Sequence, residues 1–189
     1  PMAIFVGAEI FAAWATSLIA GRLGSNQLTA VQINTVYFSF ISIPSTGLGR
    51  STSVIIEGLR KLKDYKGSKI TAFICMGSSE ILPVISLGIF SIFGEYMALP
   101  FLKNVDKENA QEIVSLTRNL LIINSIGTLF EAPRLASSTI MPAYEDNIVP
   151  ALVNVITVSI LGVAFSYMTV AVFDLGVESV YIARNITIA

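Results

Sequence analysis

Two glutamates, Glu9 and Glu131, stand deep inside runs of apolar residues, and their placement constrains the chain more than any other feature. Of the 189 residues, 53% are hydrophobic and 13% are charged, so these runs read as segments that sit in lipid. A charge near a bilayer centre costs about 2.5–3.5 kcal/mol on insertion scales, which is why embedded acids point to ion or proton handling.

The apolar stretches cover residues 1–21, 28–49, 69–93, 113–141, 148–173 and 177–189, the fourth interrupted by a proline. A membrane helix takes about 20 residues, a length that the first five reach and the last does not. A run such as ALVNVITVSILGVAF shows none of the two-residue alternation of a transmembrane strand. The expected fold is therefore all-α, a polytopic bundle of six membrane helices forming one unit over residues 1–189. The first stretch has no basic start and carries Glu9, so it reads as a retained helix rather than a signal peptide. A single cysteine, Cys75, excludes an intramolecular disulfide, and the lack of histidine excludes His-ligated zinc or haem. No cofactor is expected.

Basic residues are retained on the cytoplasmic side of membranes. Arg60, Lys61, Lys63, Lys66 and Lys69 crowd into GLRKLKDYKGSK, which makes this connection cytoplasmic and puts residue 1 inside, in the plasma (inner) membrane. The connections on the other side hold Arg22, then Lys103 and Lys107 offset by Asp106, Glu108 and Glu112, then FDLGVES without a base. A basic run can also bind nucleic acid, but beside two membrane helices it reads as a topology signal. Ser17, Ala20, Gly21 and Gly24 form a small-residue stripe suited to close helix contact. Pro44, Pro83 and Pro133 fall inside expected helices, where each removes a backbone hydrogen bond.

At about 1.5 Å of rise per residue, Glu9 on the first helix and Glu131 on the fourth fall roughly 12–15 Å below the cytoplasmic surface, in one common layer. Two carboxylates in a low-dielectric site cannot both stay ionised without a counter-charge. One holds a proton, or both hold a hard cation such as Na⁺. The alternative is that each acid is hydrogen-bonded between helices. Glu80, beside Ser78 and Ser79, is a third embedded acid with no partner at its depth, whereas Glu57 and Glu95 are expected in water. Trp14, Gln32, Asn34 and Tyr37 are candidates for a substrate cavity, with Phe38 and Phe40 as further aromatic lining, or else these rings face lipid and neighbouring helices.

GAE at 7–9, AGRLGS at 20–25 and LTAVQI at 28–33 resemble the seventh helix and following turn of the multidrug and toxic compound extrusion (MATE) transporters. NLLIINSIGTLFEAP and PAYEDNIVP resemble that family's tenth helix and its turn, with the family's cation-site acid falling on Glu131 and the turn on Tyr144, Glu145 and Asp146. An aromatic frequent four residues before that acid is Gly127 here, and the family's Arg-Val-Gly is Ile56-Glu57-Gly58. The resemblance implies the C-terminal six-helix lobe of a twelve-helix antiporter, a piece that lacks its N-terminal lobe. It implies export of organic, often cationic compounds or drugs in exchange for Na⁺ or H⁺, with Glu9 and Glu131 as the coupling acids. The alternatives are a lipid-linked oligosaccharide flippase of the same superfamily and a non-transporting membrane scaffold. An enzyme is the weakest class, since no nucleophile and base share a depth.

Overall fold

The computed structural model describes residues 2–102, 106–145, 148–171 and 176–188, and the regular structure in them is helical throughout. The helices are α1 (Met2–Leu23), α2 (Ser25–Lys61), α3 (Tyr65–Ser79), α4 (Ile81–Ala98), α5 (Lys107–Ile140), α6 (Ile148–Asn154), α7 (Val163–Ala171) and α8 (Val177–Ile188). A π-helical stretch, Val155–Gly162, joins α6 to α7, and short 3₁₀ turns follow α4 and α5. Among the described residues, four rods are long and apolar enough to cross a bilayer: Ile4–Leu23, Tyr65–Phe101, Asn109–Tyr144 and Ala151–Ala171. The chain is thus an all-α, polytopic integral membrane protein.

α5 is the central element and packs against α2, α3, α4 and α8. Its Ile113 and Leu120 join Val31 and Ile33 of α2 and Val177 and Tyr181 of α8 in the main apolar cluster. A second cluster, Ile56, Cys75, Ala136 and Ile140, ties α2, α3 and α5 together further along. α2 buries Ala30, Val31, Ile33, Asn34, Ile41, Ser45, Gly49, Thr52 and Ile56, and its many hydroxyls and amides keep it less apolar than the four lipid-length rods. Most of its hydroxyls, like several on α5, bond back to their own helix, because lipid offers no hydrogen bonds. Thr35 donates to the Val31 carbonyl, Ser42 to Phe38, Ser125 to Leu121 and Ser137 to Pro133, each one turn back.

Several boundaries depart from the apolar runs. The basic connection is mostly helix: α2 continues through Lys61, leaving 62–64 as the linker. The Glu57–Lys61 pair, 2.8 Å apart on successive turns, supports that extension. Arg60 donates to the Ala143 carbonyl and lies over the Tyr144 ring, while Ser68 and Tyr144 share a hydrogen bond of 2.8 Å. These contacts gather the 62–64 linker and the turn after α5 at one end. Asn26 bonded to Glu112, and Gln27 accepting from the Val177 amide, mark the opposite end.

The single helix expected over 69–93 breaks at Glu80. Pro83 cannot donate to the Ser79 carbonyl, so the ladder fails there. α2 and α5 run unbroken through Pro44 and Pro133. Gly24 is not part of a helix-packing stripe as expected. It forms the α1–α2 turn at φ 141°, a conformation that L side chains rarely adopt. Ala20 of the same stripe is fully buried. Of the charges used for orientation, Lys103 lies outside the described residues, as do Asp146 and the start of FDLGVES.

Candidate functional site

α1, α5 and α8 each carry charged side chains into one buried cluster. Arg134 projects from α5 one turn after Glu131. Its Nη2 donates to Glu9 Oε1 of α1 at 2.8 Å and lies 3.3 Å from Glu131 Oε1. Its Nη1 donates to Asn154 Oδ1 at 2.7 Å, and Asn154 Nδ2 donates to the Phe5 carbonyl at 3.1 Å. Arg184 of α8 donates from Nη2 to the same Glu131 Oε1 at 3.2 Å and lies over the Phe38 ring, 5.7 Å from its centre. Glu131 is 3% exposed, so its carboxylate depends on these two guanidiniums rather than on water.

The structure therefore brings Glu9 and Glu131 together through a shared guanidinium. The counter-charge that the pair requires comes from the protein itself: two carboxylates face two arginines, and the cluster is formally neutral. Among the described residues no group of three or more Asp, Glu, Cys or His could hold a metal ion. The Glu80 side chain makes no hydrogen bond or ion pair among the described residues and stands apart at the α3–α4 break, where its backbone N–H donates to the Gly77 carbonyl. Glu95 is exposed and pairs with Arg118 at 2.8 Å. Glu57, at the end of α2, has its carboxyl held below the usual range by the hydrogen bond and charge of Lys61.

Two cavities flank the cluster. One, of about 250 Å³, is lined by Glu9, Asn34, Phe38, Asn124, Tyr181 and Arg184 among others, toward the Asn26–Glu112 end. The other, of about 200 Å³, is lined by Phe5, Arg134, Ser137, Met141 and Asn154, toward the basic end. Of the four substrate-cavity candidates, Asn34 lines the first. Trp14 points outward at 68% exposure, Gln32 is exposed as well, and Tyr37 is engaged elsewhere. Its hydroxyl donates to the Met97 carbonyl and its ring packs edge-on against Phe90 and Phe101. Phe40 faces outward.

Arg134, Arg184 and Asn154 are the members that sequence reasoning missed. Arg134 had a signal, since a base three residues after an embedded acid shares its helical face. Arg184 had a weaker one, a charge inside the short last apolar stretch. Asn154 had none. It opens the π-helical stretch, and wider turns of this kind often sit at functional sites. Ser159 within that stretch donates to the Ala8 carbonyl, next to Glu9. Gly127 also finds its reason here. A Cβ on it would collide with the Asn185 amide, which donates to the Ile123 carbonyl at 2.9 Å and locks α8 onto α5.

A helical membrane bundle with charged side chains buried between its helices suits a membrane transporter. The MatE family model matches residues 1–168, and the chain belongs to that family of transporters. It is similar in structure to a MOP superfamily transporter from Pyrococcus furiosus Vc1 (DSM3638), with a TM-score of 0.85 and 20% sequence identity. That likeness covers 100% of this chain and 40% of the archaeal one, so the chain spans less than half the length of its structural neighbour. No curated protein matches the chain.

Proposed function

We propose that the chain is the C-terminal six-helix lobe of a cation-coupled exporter of small organic compounds, which works by alternating access against a second lobe. The observation that carries this reading is the meeting of Glu9 and Glu131 through Arg134, in a layer with a cavity on either side. Charge counting favours H⁺ over Na⁺ as the coupling ion. A sodium ion entering the cluster would face two guanidiniums, whereas a proton on Glu9 cancels one carboxylate and breaks its ion pair with Arg134. Loss of that pair loosens α1 from α5, while Arg134 keeps Glu131 and Asn154, a local change that a rocking lobe can use. The basic end of the bundle, from Arg60 to Lys69, faces the cytoplasm in this reading, with residue 1 on the cytoplasmic side of the plasma membrane. The archaeal neighbour is described as having a binding pocket of reverse polarity that suggests a different function. Arg184 on the wall of the larger cavity here argues in the same direction, against cargo that is simply cationic.

The test is gradient-driven export by the full-length protein with Glu9→Gln or Glu131→Gln. Both variants should insert normally and lose export driven by a proton gradient. Undiminished export by both, or export that follows a sodium gradient alone, would overturn the coupling scheme.

A further inference from the structure

The charged cluster leaves polar groups unused, and they converge on the larger cavity. Asn34 is 1% exposed, and its amide meets only the Tyr181 hydroxyl, in a contact too poorly aligned to satisfy it. Arg184 donates from Nη2 to Glu131, but its Nε–H is buried without an acceptor. Glu9 uses Oε1 for Arg134, and its ion pair engages only that oxygen. Buried polar atoms in folded proteins are nearly always paired, so open donors and acceptors around one cavity point to a ligand that supplies their partners.

The wall of this cavity carries one formal negative charge, Glu9, and one positive charge, Arg184, with Asn34 between the polar and apolar lining. A plain cation placed there meets the second carboxylate oxygen of Glu9 but leaves the Nε–H of Arg184 unanswered, and a plain anion does the reverse. A zwitterion answers both charges, and its second polar atoms can satisfy the amide of Asn34. Ile10, Val31 and Phe38 supply an apolar wall for its body. The volume of about 250 Å³ lies just under the roughly 300–1,000 Å³ usual for drug-sized ligands, so the fit is to a small molecule.

We infer that this cavity binds a small zwitterion of the amino-acid kind, with its ammonium group toward Glu9 and its carboxylate toward Arg184. The inference deepens the transporter reading, since the bound zwitterion would be cargo, but it can fail while that reading stands. Equilibrium binding to the full-length protein in lipid nanodiscs, without any gradient, tests it with three probes. They are phenylalanine, its amide, which keeps only the positive charge, and N-acetylphenylalanine, which keeps only the negative one. Phenylalanine should bind at least about tenfold more tightly than either analogue. Arg184→Gln should erase the handicap of the amide, and Glu9→Gln that of the N-acetyl compound, a charge-specific exchange that mere loss of folding cannot produce. Asn34→Leu, which alters no charge, should weaken phenylalanine binding about tenfold with the melting temperature held. Failure of phenylalanine to bind, a wild-type preference for the amide, or ratios unmoved by both charge variants would overturn the inference. Proton-driven flux measured separately on the same protein reports on the transporter reading by itself.

Discussion

Toward one end of α5, Arg118 meets Glu95 at 2.8 Å with side chains 46% and 58% exposed. Further along the same helix, Arg134 meets Glu9 at the same 2.8 Å, with side chains 19% and 22% exposed, and shares Glu131, whose side chain is 4% exposed. Equal distances here describe different physics. The exposed pair exchanges its partners for water at little cost, as most surface ion pairs do. The enclosed pair is largely shut off from water, so removing one partner strands the charge of the other. The first pair joins only α4 to α5, whereas the second belongs to a cluster that ties α1, α5, α8 and the Asn154 turn together.

The sharpest way to break this comparison is to remove the arginine from each pair. Arg134→Met leaves Glu9 without a counter-charge and Glu131 with only Arg184, and should lower stability by about 3–5 kcal/mol. Arg118→Met should lower it by about 0–1 kcal/mol. Unfolding of each variant in micelles measures both, and equal losses would mean that burial does not set the difference.

A smaller effect tests whether α8 must sit tightly on α5 for Arg184 to reach Glu131. Gly127→Ala places a methyl group against Asn185, and overpacking of this kind costs about 1–3 kcal/mol. Asn185→Ala in the same chain should recover part of the loss in a thermal melt. If Gly127→Ala melts with the parent, the close contact between the helices is not needed.

The smallest effect belongs to Glu57 and Lys61, both well exposed at the end of α2. The Glu57 carboxyl is lowered and the Lys61 amine raised, each by the hydrogen bond and charge of the other. A lowered acid contributes stability above its unfolded value, about 4.3, and loses it as pH falls through its folded value. A raised base contributes below its unfolded value, about 10.4, and loses the contribution as pH rises through its folded one. The difference in melting temperature between the parent and Glu57→Gln should therefore be flat from about pH 5 to pH 9, shrink below and above that window, and fade with added salt. A difference that changes sign near neutrality would implicate another group.

Much of the bundle was legible in the sequence because lipid imposes a simple rule: long apolar runs become helices. The boundaries were less so. Apolarity does not report that Glu57 and Lys61 carry α2 beyond the bilayer, nor that Pro83, unlike Pro44 and Pro133, coincides with a break. The common layer of Glu9 and Glu131 could be read from helical rise alone, and the two acids do share a cluster. What stayed hidden was the charge that joins them. Arg134 and Arg184 stayed out of the reading, because the alignment of one helix face with another is a property of packing and not of any single run. Tyr37 and Trp14 were legible as aromatic residues near the site, but which way a ring points is decided by neighbours far away in the chain, Met97 and Phe101 for Tyr37.

The central claim is that Glu9, Glu131, Arg134 and Arg184 form one charge-balanced unit. A double-mutant cycle on Glu9→Gln and Arg134→Met tests it most directly, with unfolding free energy in micelles as the measurement. Losing both partners leaves Glu131 paired with Arg184 and no stranded charge on α1, so the double variant should be less destabilised than the sum of the two single variants by about 1–3 kcal/mol. Additivity to within about 0.5 kcal/mol would contradict the account, because it would mean that the two side chains do not sense each other.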